Sequence, residues 1–301
     1  MSEESATPFK AGFVSFVGRP NVGKSTLTNA LVGEKVAITS SKPQTTRRAI
    51  RGIVNRSDAQ LIVVDTPGVH RPRTLLGERL NALVEETLGS VDVIGMCVPA
   101  GEKIGPGDRF INERLDDAPR AKKVAIVTKT DAAGKAAVTE QLLAVSRLRE
   151  WDAIVPISAT RGHQLDELLG ELIALLPDSP PLYPQDQLTD EETIDRIAEY
   201  VREAVLEGAR EELPHSLAVT IDDMVERDDK DLLEIYANLF VERDSQKAIV
   251  IGRAGSRLKG IGQTARAQIE GLLGRKVFLS IHVKVAKDWQ SDPKQLGRLG
   301  F

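Results

Sequence analysis

Near its N-terminus the chain reads Gly18-Arg19-Pro20-Asn21-Val22-Gly23-Lys24-Ser25, which fits the pattern G-x-x-x-x-G-K-[ST] of a phosphate-binding P-loop. An apolar run at residues 13–17 precedes it, and Leu27, Ala30 and Leu31 follow at helical spacing. This is the strand–loop–helix context that the motif requires. Backbone N–H groups of such a loop wrap a polyphosphate, and the helix N-terminus adds its positive end. The segment therefore predicts a nucleotide site.

Two side chains of this loop have predicted roles. Lys24 would reach the β- and γ-phosphates, and the Ser25 hydroxyl would ligate Mg²⁺. The alternative is a tight turn in which Lys24 binds no ligand. The flanking strand and helix patterns disfavour it. We predict nucleotide contacts along the whole segment: Gly18, Arg19, Pro20, Asn21, Val22, Gly23, Lys24, Ser25 and Thr26.

A second motif, Asp65-Thr66-Pro67-Gly68, follows the apolar run 61–64, which is typical of a strand buried on both faces. An aspartate there can hold Mg²⁺ through water, and Gly68 can offer its N–H to the γ-phosphate. Asp, Pro and Gly are also ordinary turn residues, so the motif alone fits a simple turn equally well. Its place behind a P-loop favours nucleotide contacts from Asp65, Thr66, Pro67 and Gly68.

A polar, basic segment at residues 40–48 lies between these motifs and has neither helical nor strand periodicity. A loop at this place faces the phosphates, and a threonine hydroxyl from it could complete the Mg²⁺ shell in the triphosphate state. We predict that Thr46 does so, with Thr45 as the second choice and a solvated loop as the alternative. Catalysis is then assigned to Lys24, Thr46 and Gly68, and the metal to Ser25, Thr46 and, through water, Asp65.

The base is indicated by Thr128-Lys129-Thr130-Asp131, which follows the apolar run 124–127. The Asp131 carboxylate can accept hydrogen bonds from both N1–H and the exocyclic amine of guanine, a donor pair that adenine lacks. Lys129 would lie along the base and the P-loop. A second apolar run, 154–157, leads to a backbone N–H that could meet guanine O6. We predict guanine contacts from Thr128, Lys129, Asp131, Ser158 and Ala159.

Together, GRPNVGKS, TTR, DTPG, TKTD and SA resemble the translation-factor class of GTPases, and specifically the Era family. The resemblance implies an α/β P-loop GTPase domain, mostly parallel with helices on both faces, followed by a smaller α+β type II KH domain. It also implies GTP or GDP and Mg²⁺ as ligands. One residue departs from the family pattern, since Thr128 stands where an asparagine is usual, and a hydroxyl has less reach than an amide.

Slow hydrolysis is expected because Val69 stands where Ras-like GTPases carry a glutamine that orients the attacking water. Valine cannot hydrogen-bond to water. The family resemblance suggests that a monovalent cation, K⁺, held partly by Asn21, stands where an arginine finger would neutralise charge. Such a protein is better described as a timed switch than as a metabolic catalyst.

The last third of the chain has the element order of a type II KH domain. A proline-rich segment, 177–184, predicts a linker, and Thr189 with Glu192 predicts a capping box for a helix reaching to about Glu211. Strands are predicted at 217–221 and 233–240 around an acidic turn at 228–231. A helix, a G-x-x-G loop, a second helix and the strand 276–285 follow. Such a loop clamps a nucleic-acid backbone. The predicted RNA contacts are Gly252, Arg253, Ala254, Gly255, Arg257 and Lys259.

Charge is distributed unevenly along the chain. The whole chain carries a formal net charge of −4, whereas residues 245–301 contain 11 Lys or Arg against 3 Asp or Glu, a net +8. A basic end on an acidic protein predicts a localised anion-binding surface, for which RNA is the expected partner and single-stranded RNA is favoured over duplex. A merely solvated basic face is the alternative.

Composition excludes several classes of protein. One cysteine, Cys97, in 301 residues excludes a disulfide framework and a Cys-rich metal site, and it suits a reducing cytosol. The N-terminal residues lack the apolar core of a signal peptide, and no apolar run approaches the length of a membrane span. We expect a cytoplasmic monomer, with peripheral contact at the inner face of the membrane as a further prediction.

These observations predict a G domain at residues 1–178, a linker at 179–189 and a KH domain at 190–301. The predicted function is a slow GTP-hydrolysing switch, and by resemblance it binds 16S rRNA near the 3′ end and assists assembly and maturation of the small (30S) ribosomal subunit. Two alternatives stay open. One is an RNA chaperone with GTP only as a structural ligand, and the other is a membrane-associated cell-cycle signalling GTPase with another RNA client.

Overall fold

The computed structural model describes residues 8–42, 44–69, 72, 74–209, 213–227 and 232–301. The chain divides into two compact units. The first contains the described residues of 1–37, 46–71 and 80–190, and the second contains those of 38–45, 72–79 and 191–301. Two short segments from the first third of the chain therefore belong to the second unit.

The first unit is built on a six-stranded sheet, counted over the described residues, in the order β2-β3-β1-β4-β5-β6. Neighbouring strands are parallel except for the antiparallel pair β2–β3. The strands are β1 (Lys10–Val17), β2 (Ile50–Asn55), β3 (Ala59–Asp65), β4 (Val93–Pro99), β5 (Lys122–Thr128) and β6 (Ala153–Pro156). The helices that follow or connect them are α1 (Lys24–Val32), α2 (Leu75–Ser90), α3 (Pro106–Arg114), α4 (Lys135–Ser146) and α5 (Leu165–Ala174).

Helices cover both faces of this sheet, so its central strands are buried on both sides. Every residue of β3 and β4 is buried. Leu27 of α1 and Leu172 of α5 lie in one apolar cluster, and Val84 of α2 and Val145 of α4 lie in another. The carboxyl ends of the parallel strands meet at one edge of the sheet, where ligands bind in folds of this class.

The second unit has a three-stranded sheet in the order β7-β8-β9, with β7–β8 antiparallel and β8–β9 parallel. Its core contains Ile197, Leu239, Ile261 and Val277. This is the predicted helix–strand–strand–helix–helix–strand order. Its elements are α6 (Thr193–Leu206), β7 (Ala218–Arg227), β8 (Leu232–Val241), α7 (Asp244–Ile251), α8 (Ser256–Leu273), β9 (Lys276–Val285) and α9 (Pro293–Arg298).

The start and end of α6 differ from the sequence-based prediction. The helix begins at Thr193 with Glu192 as its N-cap and ends at Leu206 instead of near Glu211. Thr189 does not cap it, because its hydroxyl donates to the main-chain carbonyl of Arg51 at 2.7 Å. The predicted acidic turn at 228–231 lies outside the described residues.

The proline-rich segment is irregular, but its backbone is held by the buried side chain of Gln60. The Gln60 Oε1 atom accepts hydrogen bonds from the N–H groups of Leu182 and Tyr183 at 2.7 and 2.9 Å. Its Nε2 atom donates to Asn55 Oδ1 and to the Tyr183 carbonyl at 2.7 and 2.9 Å. One side chain thus satisfies four polar partners.

Replacing Gln60 by methionine, which has a similar shape, is expected to lower the free energy of unfolding by about 2–4 kcal/mol, because several buried polar groups lose their partners. Chemical denaturation measures the change. The control is Gln185→Met in the same segment, where the side chain is exposed. Equal stability of the two variants would contradict this role for Gln60.

Candidate functional site

The P-loop runs from the end of β1 into the first turn of α1, so the predicted residues from Gly18 to Thr26 lie together. Gly23 and Asn21 have left-handed φ angles of 104° and 63°. The Lys24 side chain is buried, and its Nζ atom donates to the carbonyls of Gly18 and Arg19 at 3.2 and 3.3 Å. Burial lowers the pKa of the Lys24 ammonium, and the nearby Asp65 charge opposes that shift. A buried cation over a turn of backbone amides suits a polyphosphate.

Three oxygen-bearing side chains converge beside Lys24. Asp65 Oδ2 accepts hydrogen bonds from Ser25 Oγ at 2.7 Å and from Thr46 Oγ1 at 3.1 Å, and the two hydroxyl oxygens are 3.0 Å apart. These are the three residues predicted from the sequence to hold Mg²⁺. Hydroxyl and carboxylate oxygens are the ligands that this ion prefers.

The second oxygen of the same carboxylate gives a further reason to infer a ligand. The Asp65 side chain is 0% exposed, and its Oδ1 atom has no hydrogen-bond partner among the described residues. Burial raises the pKa of Asp65, while the hydrogen bond from Ser25 and the charge of Lys24 oppose the rise. An acceptor buried without a donor is costly, and a water molecule bound to a metal ion would supply that donor. The residues present therefore fit a magnesium ion.

The structure separates the two threonines that the sequence left as alternatives. Thr46 is buried and faces Ser25 and Asp65. Thr45 turns the other way, and its hydroxyl donates to the carbonyl of Lys42 at 2.7 Å. Only Thr46 of this pair has its hydroxyl at the oxygen cluster.

The segment after β3 approaches the P-loop closely at Gly68. A Cβ atom added to Gly68 would lie 3.3 Å from the Pro20 nitrogen, so a side chain here would have to displace one of the two loops. Thr66 and Pro67 are buried, and the Thr66 hydroxyl donates to the Phe16 carbonyl at 3.4 Å. Val69 packs against the apolar cluster of α2 and α4. At that position the chain thus offers no polar group that could orient water.

The predicted base loop is tied to the P-loop by two side chains. Thr128 is buried, and its hydroxyl donates to the Val22 carbonyl at 2.7 Å. Lys129 has a left-handed φ of 56°, and its Nζ atom donates to the Asn21 carbonyl at 2.6 Å. The unusual threonine therefore reaches the P-loop directly, despite the shorter reach of its side chain.

The Asp131 carboxylate is exposed and is oriented by two hydroxyl groups. Ser158 Oγ donates to Asp131 Oδ1 at 2.6 Å, and Thr160 Oγ1 donates to Oδ2 at 3.3 Å. The hydrogen bond from Ser158 is the main reason that the pKa of Asp131 is lowered. An ionised carboxylate in a fixed orientation suits the two N–H donors on one edge of guanine.

The structure narrows the prediction for guanine O6, which named a backbone N–H of Ser158 or Ala159. The Ser158 N–H donates to the His163 carbonyl at 3.1 Å, so it is already used within the loop. The main-chain N–H of Ala159 is then the candidate donor to O6. Thr160, which was not predicted from the sequence, joins the site through its hydrogen bond to Asp131. Its position two residues after Ser158 is the one feature of the sequence that points to this role.

The structure shows where the Arg19 side chain lies, and the nucleotide contact of this residue stays a prediction. Its guanidinium donates to Asp108 Oδ1 at 2.8 Å and to Glu102 Oε2 at 2.9 Å, and the hydrogen bond to Asp108 is the main reason that the pKa of Arg19 is raised. The side chain thus fastens the P-loop to α3 and its preceding loop instead of facing the phosphates. Any contact of Arg19 with a nucleotide is left to its backbone.

The predicted RNA contacts lie at the junction between α7 and α8. Gly252, Ala254 and Gly255 have left-handed φ angles of 72°, 49° and 76°, which produce a tight exposed turn. A Cβ atom added to Gly252 would lie 2.7 Å from the Arg257 Cβ atom. Arg257 Nη2 is buried and has no acceptor in the part of the chain that the structure describes. Arg253, within this turn, and Lys259, near the start of α8, are exposed.

Among the described residues, no group of three or more His, Cys, Asp or Glu side chains is placed to hold a metal ion, and no helix is both long and apolar enough to span a membrane. His70 lies outside the described residues. Cys97 is buried beneath the P-loop, and burial raises the pKa of its thiol to about 12.

Family models match both units. A model described as 50S ribosome-binding GTPase matches residues 13–130, and a KH domain model matches residues 212–290. GTPase Era of Leifsonia xyli subsp. xyli is 79% identical over 296 residues, covering 98% of this chain and 100% of that protein. GTPase Era of Mycolicibacterium smegmatis is 62% identical over 298 residues, with the same coverage of both chains.

Two solved structures match almost the whole chain, each at 37% identity and covering 97% of this chain and 99% of the other. One is an Aquifex aeolicus Era variant bound to GDP.AlF4-, with a TM-score of 0.93. The other is Era in complex with MgGDPNP and nucleotides 1506–1542 of 16S ribosomal RNA, with a TM-score of 0.92. The predicted fold, a P-loop GTPase domain followed by a KH domain, is confirmed.

Thr128→Val should accelerate GDP release about tenfold, because the Val22 carbonyl loses a buried hydrogen-bond donor and the base loop loses one of its ties to the P-loop. Stopped-flow release of a fluorescent GDP analogue measures the rate. Thr130→Val makes the same chemical change two residues along the chain and serves as the control. If GDP leaves the two variants at the same rate, the hydrogen bond from Thr128 to the Val22 carbonyl does not help to retain the nucleotide.

Proposed function

The chain belongs to the Era family of GTPases, and on that premise we propose that it is a slow GTP-hydrolysing switch that binds the 3′ end of 16S rRNA and assists assembly of the small ribosomal subunit. GTP hydrolysis and RNA binding belong to the family. The ribosomal target, the assembly role and the timing of the switch are the proposal.

The observation that carries the enzymatic part is the oxygen cluster beside a buried lysine. Ser25 and Thr46 would hold Mg²⁺ through their hydroxyl groups, and Asp65 would do so through a bound water molecule. When bound, the ion neutralises negative charge on the β- and γ-phosphate oxygens. Lys24 would donate to the same phosphates in place of its present carbonyl partners.

Slow turnover is expected because the side chain at position 69 cannot orient the attacking water molecule. Val69 packs into the apolar cluster and orients no water molecule, so hydrolysis depends on Lys24, the metal ligands and loop amides such as that of Gly68. We extend the proposal to K⁺, held partly by Asn21. A cation there would neutralise charge that an arginine finger neutralises in other GTPases.

Selection of GTP over ATP follows from Asp131. Its ionised carboxylate, oriented by Ser158 and Thr160, would accept from N1–H and the exocyclic amine of guanine. Adenine offers no such pair of donors. Ala159 would add a backbone donor to O6, where adenine carries an amine instead of an acceptor.

The RNA part of the proposal rests on the turn Gly252–Gly255 and on the basic end of the chain. Three left-handed residues expose the backbone of the turn, and Arg257 Nη2 is buried without an acceptor among the described residues. A phosphate oxygen would satisfy it. The net charge of +8 in residues 245–301 adds attraction that does not depend on sequence. Because the similar Era structure carries the 16S rRNA end, we propose the same target here.

The proposal includes a monomer that works in the cytoplasm. The basic end would also allow peripheral contact with anionic lipid at the inner face of the membrane. Neither statement affects the assignment of the nucleotide and RNA sites.

Ultraviolet crosslinking of RNA to the protein in its own cells, followed by sequencing, tests the target. We expect reads concentrated at the 3′ end of 16S rRNA and lost in Gly252→Asp/Gly255→Asp, whose new charges repel phosphate. Gly271→Asp is the control for a carboxylate added elsewhere on the same helix: it adds one negative charge, where the double variant adds two, at an open position near the other end of α8. Diffuse reads, or a peak that the double variant leaves unchanged, would contradict the proposal.

Replacing K⁺ by Na⁺ should lower GTP turnover severalfold if a monovalent cation completes the site. Asn21→Gly is expected to abolish that difference while tolerating the left-handed φ of 63° at this position. Phosphate release is measured in both salts at equal ionic strength, and GDP affinity is the control. A wild-type rate that is the same in K⁺ and Na⁺ would remove the cation from the mechanism.

A further inference from the structure

The segment 38–45, which precedes the metal ligand Thr46, belongs to the second unit and is held there at both ends. At its start, Ile38 lies in the apolar core of that unit, and the Thr39 N–H donates to the Glu203 carboxylate at 2.9 Å. At its end, the Thr45 carbonyl accepts a hydrogen bond from the Arg202 guanidinium. Both charged residues lie on α6.

Arg202 and Glu203 are unusual because they are charged and almost completely buried, with exposed fractions of 2% and 3%. Arg202 also donates from Nε and Nη2 to the Glu199 carboxylate one turn earlier, at 2.9 and 2.5 Å. Burying charged groups is costly unless they are paired and hydrogen-bonded. Apolar side chains would fill the same volume at lower cost, so packing alone does not explain this pair.

Two of their partners are main-chain groups of one loop, the Thr39 N–H and the Thr45 carbonyl, and this position gives Arg202 and Glu203 a role in the metal site. Thr45 and Thr46 are consecutive, with Cα atoms about 3.8 Å apart across a trans peptide. A hydrogen bond that fixes the Thr45 carbonyl therefore restricts where the Thr46 side chain can go. The Thr46 hydroxyl lies 3.0 Å from Ser25 Oγ and 3.1 Å from Asp65 Oδ2.

We propose that Arg202 and Glu203 are positioning residues for the metal site: they hold the backbone at Thr39 and at Thr45 so that Thr46 reaches Mg²⁺ in the triphosphate state. This inference rests on the GTP-hydrolysing part of the proposed function and not on the identity of the RNA. It explains why two charges are buried where a helix normally presents apolar residues.

The test compares affinities for GDPNP and for GDP in the full-length protein with Mg²⁺. Thr46 contributes only when a γ-phosphate is present, so Arg202→Met and Glu203→Met should weaken GDPNP binding about tenfold and change GDP binding less than twofold. Glu203→Gln should retain near-normal affinity for both, because its carbonyl oxygen still accepts from the Thr39 N–H. Arg266→Met is the control for loss of a cation, since that side chain is exposed on α8.

A double-mutant comparison separates positioning from a general structural effect. In a Thr46→Val background, Arg202→Met should cause no further loss of GDPNP affinity, because both changes act through the same hydroxyl. Equal loss of GDP and GDPNP affinity, or a full additional loss in that background, would overturn the proposal. If Arg202→Met does not fold, as judged by thermal unfolding, Glu203→Met against Glu203→Gln decides the question. Crosslinking to a different RNA would leave these results unaffected.

Discussion

The buried carboxylate of Asp65 is the constraint on which the nucleotide site depends. It lies at the end of β3 with no solvent exposure, holds the Ser25 and Thr46 hydroxyls through one oxygen, and has no partner for the other among the described residues. An ionisable group in this position is costly without a compensating charge. Lys24 supplies part of that compensation, and a hydrated metal ion would supply the rest.

Both units have a site suited to binding phosphate, and the two sites share physical features. In the first unit, left-handed residues of the P-loop turn backbone amides outward beside the buried Lys24. In the second, the left-handed turn Gly252–Gly255 exposes backbone next to Arg257, whose Nη2 is buried without an acceptor in the described part of the chain. Each site combines an accessible backbone with a cation that has been partly removed from water, which strengthens its attraction for an anion.

The features that could be predicted from the sequence are local patterns of residues. The P-loop, the Asp65 motif and the G-x-x-G turn are short patterns, and each can be recognised without knowledge of its partners in the fold. The pairings that the sequence did not predict involve partners distant in the chain: Thr189 donates to Arg51, and the Arg19 side chain pairs with Asp108 and Glu102. Arg202 and Glu203 gave no signal, because a charged pair on an amphipathic helix normally faces water, and their partners lie about 160 residues away. Such pairings depend on tertiary packing, which no local pattern records.

The most direct test of the central claim is a crystal structure of the protein with GDPNP and Mn²⁺, in which anomalous scattering locates the ion. The account predicts a metal at about 2.1 Å from both Ser25 Oγ and Thr46 Oγ1, with Asp65 reaching it through a water molecule that donates to Oδ1. A metal bound directly by Asp65, with the Thr46 hydroxyl turned away from it, would contradict the account.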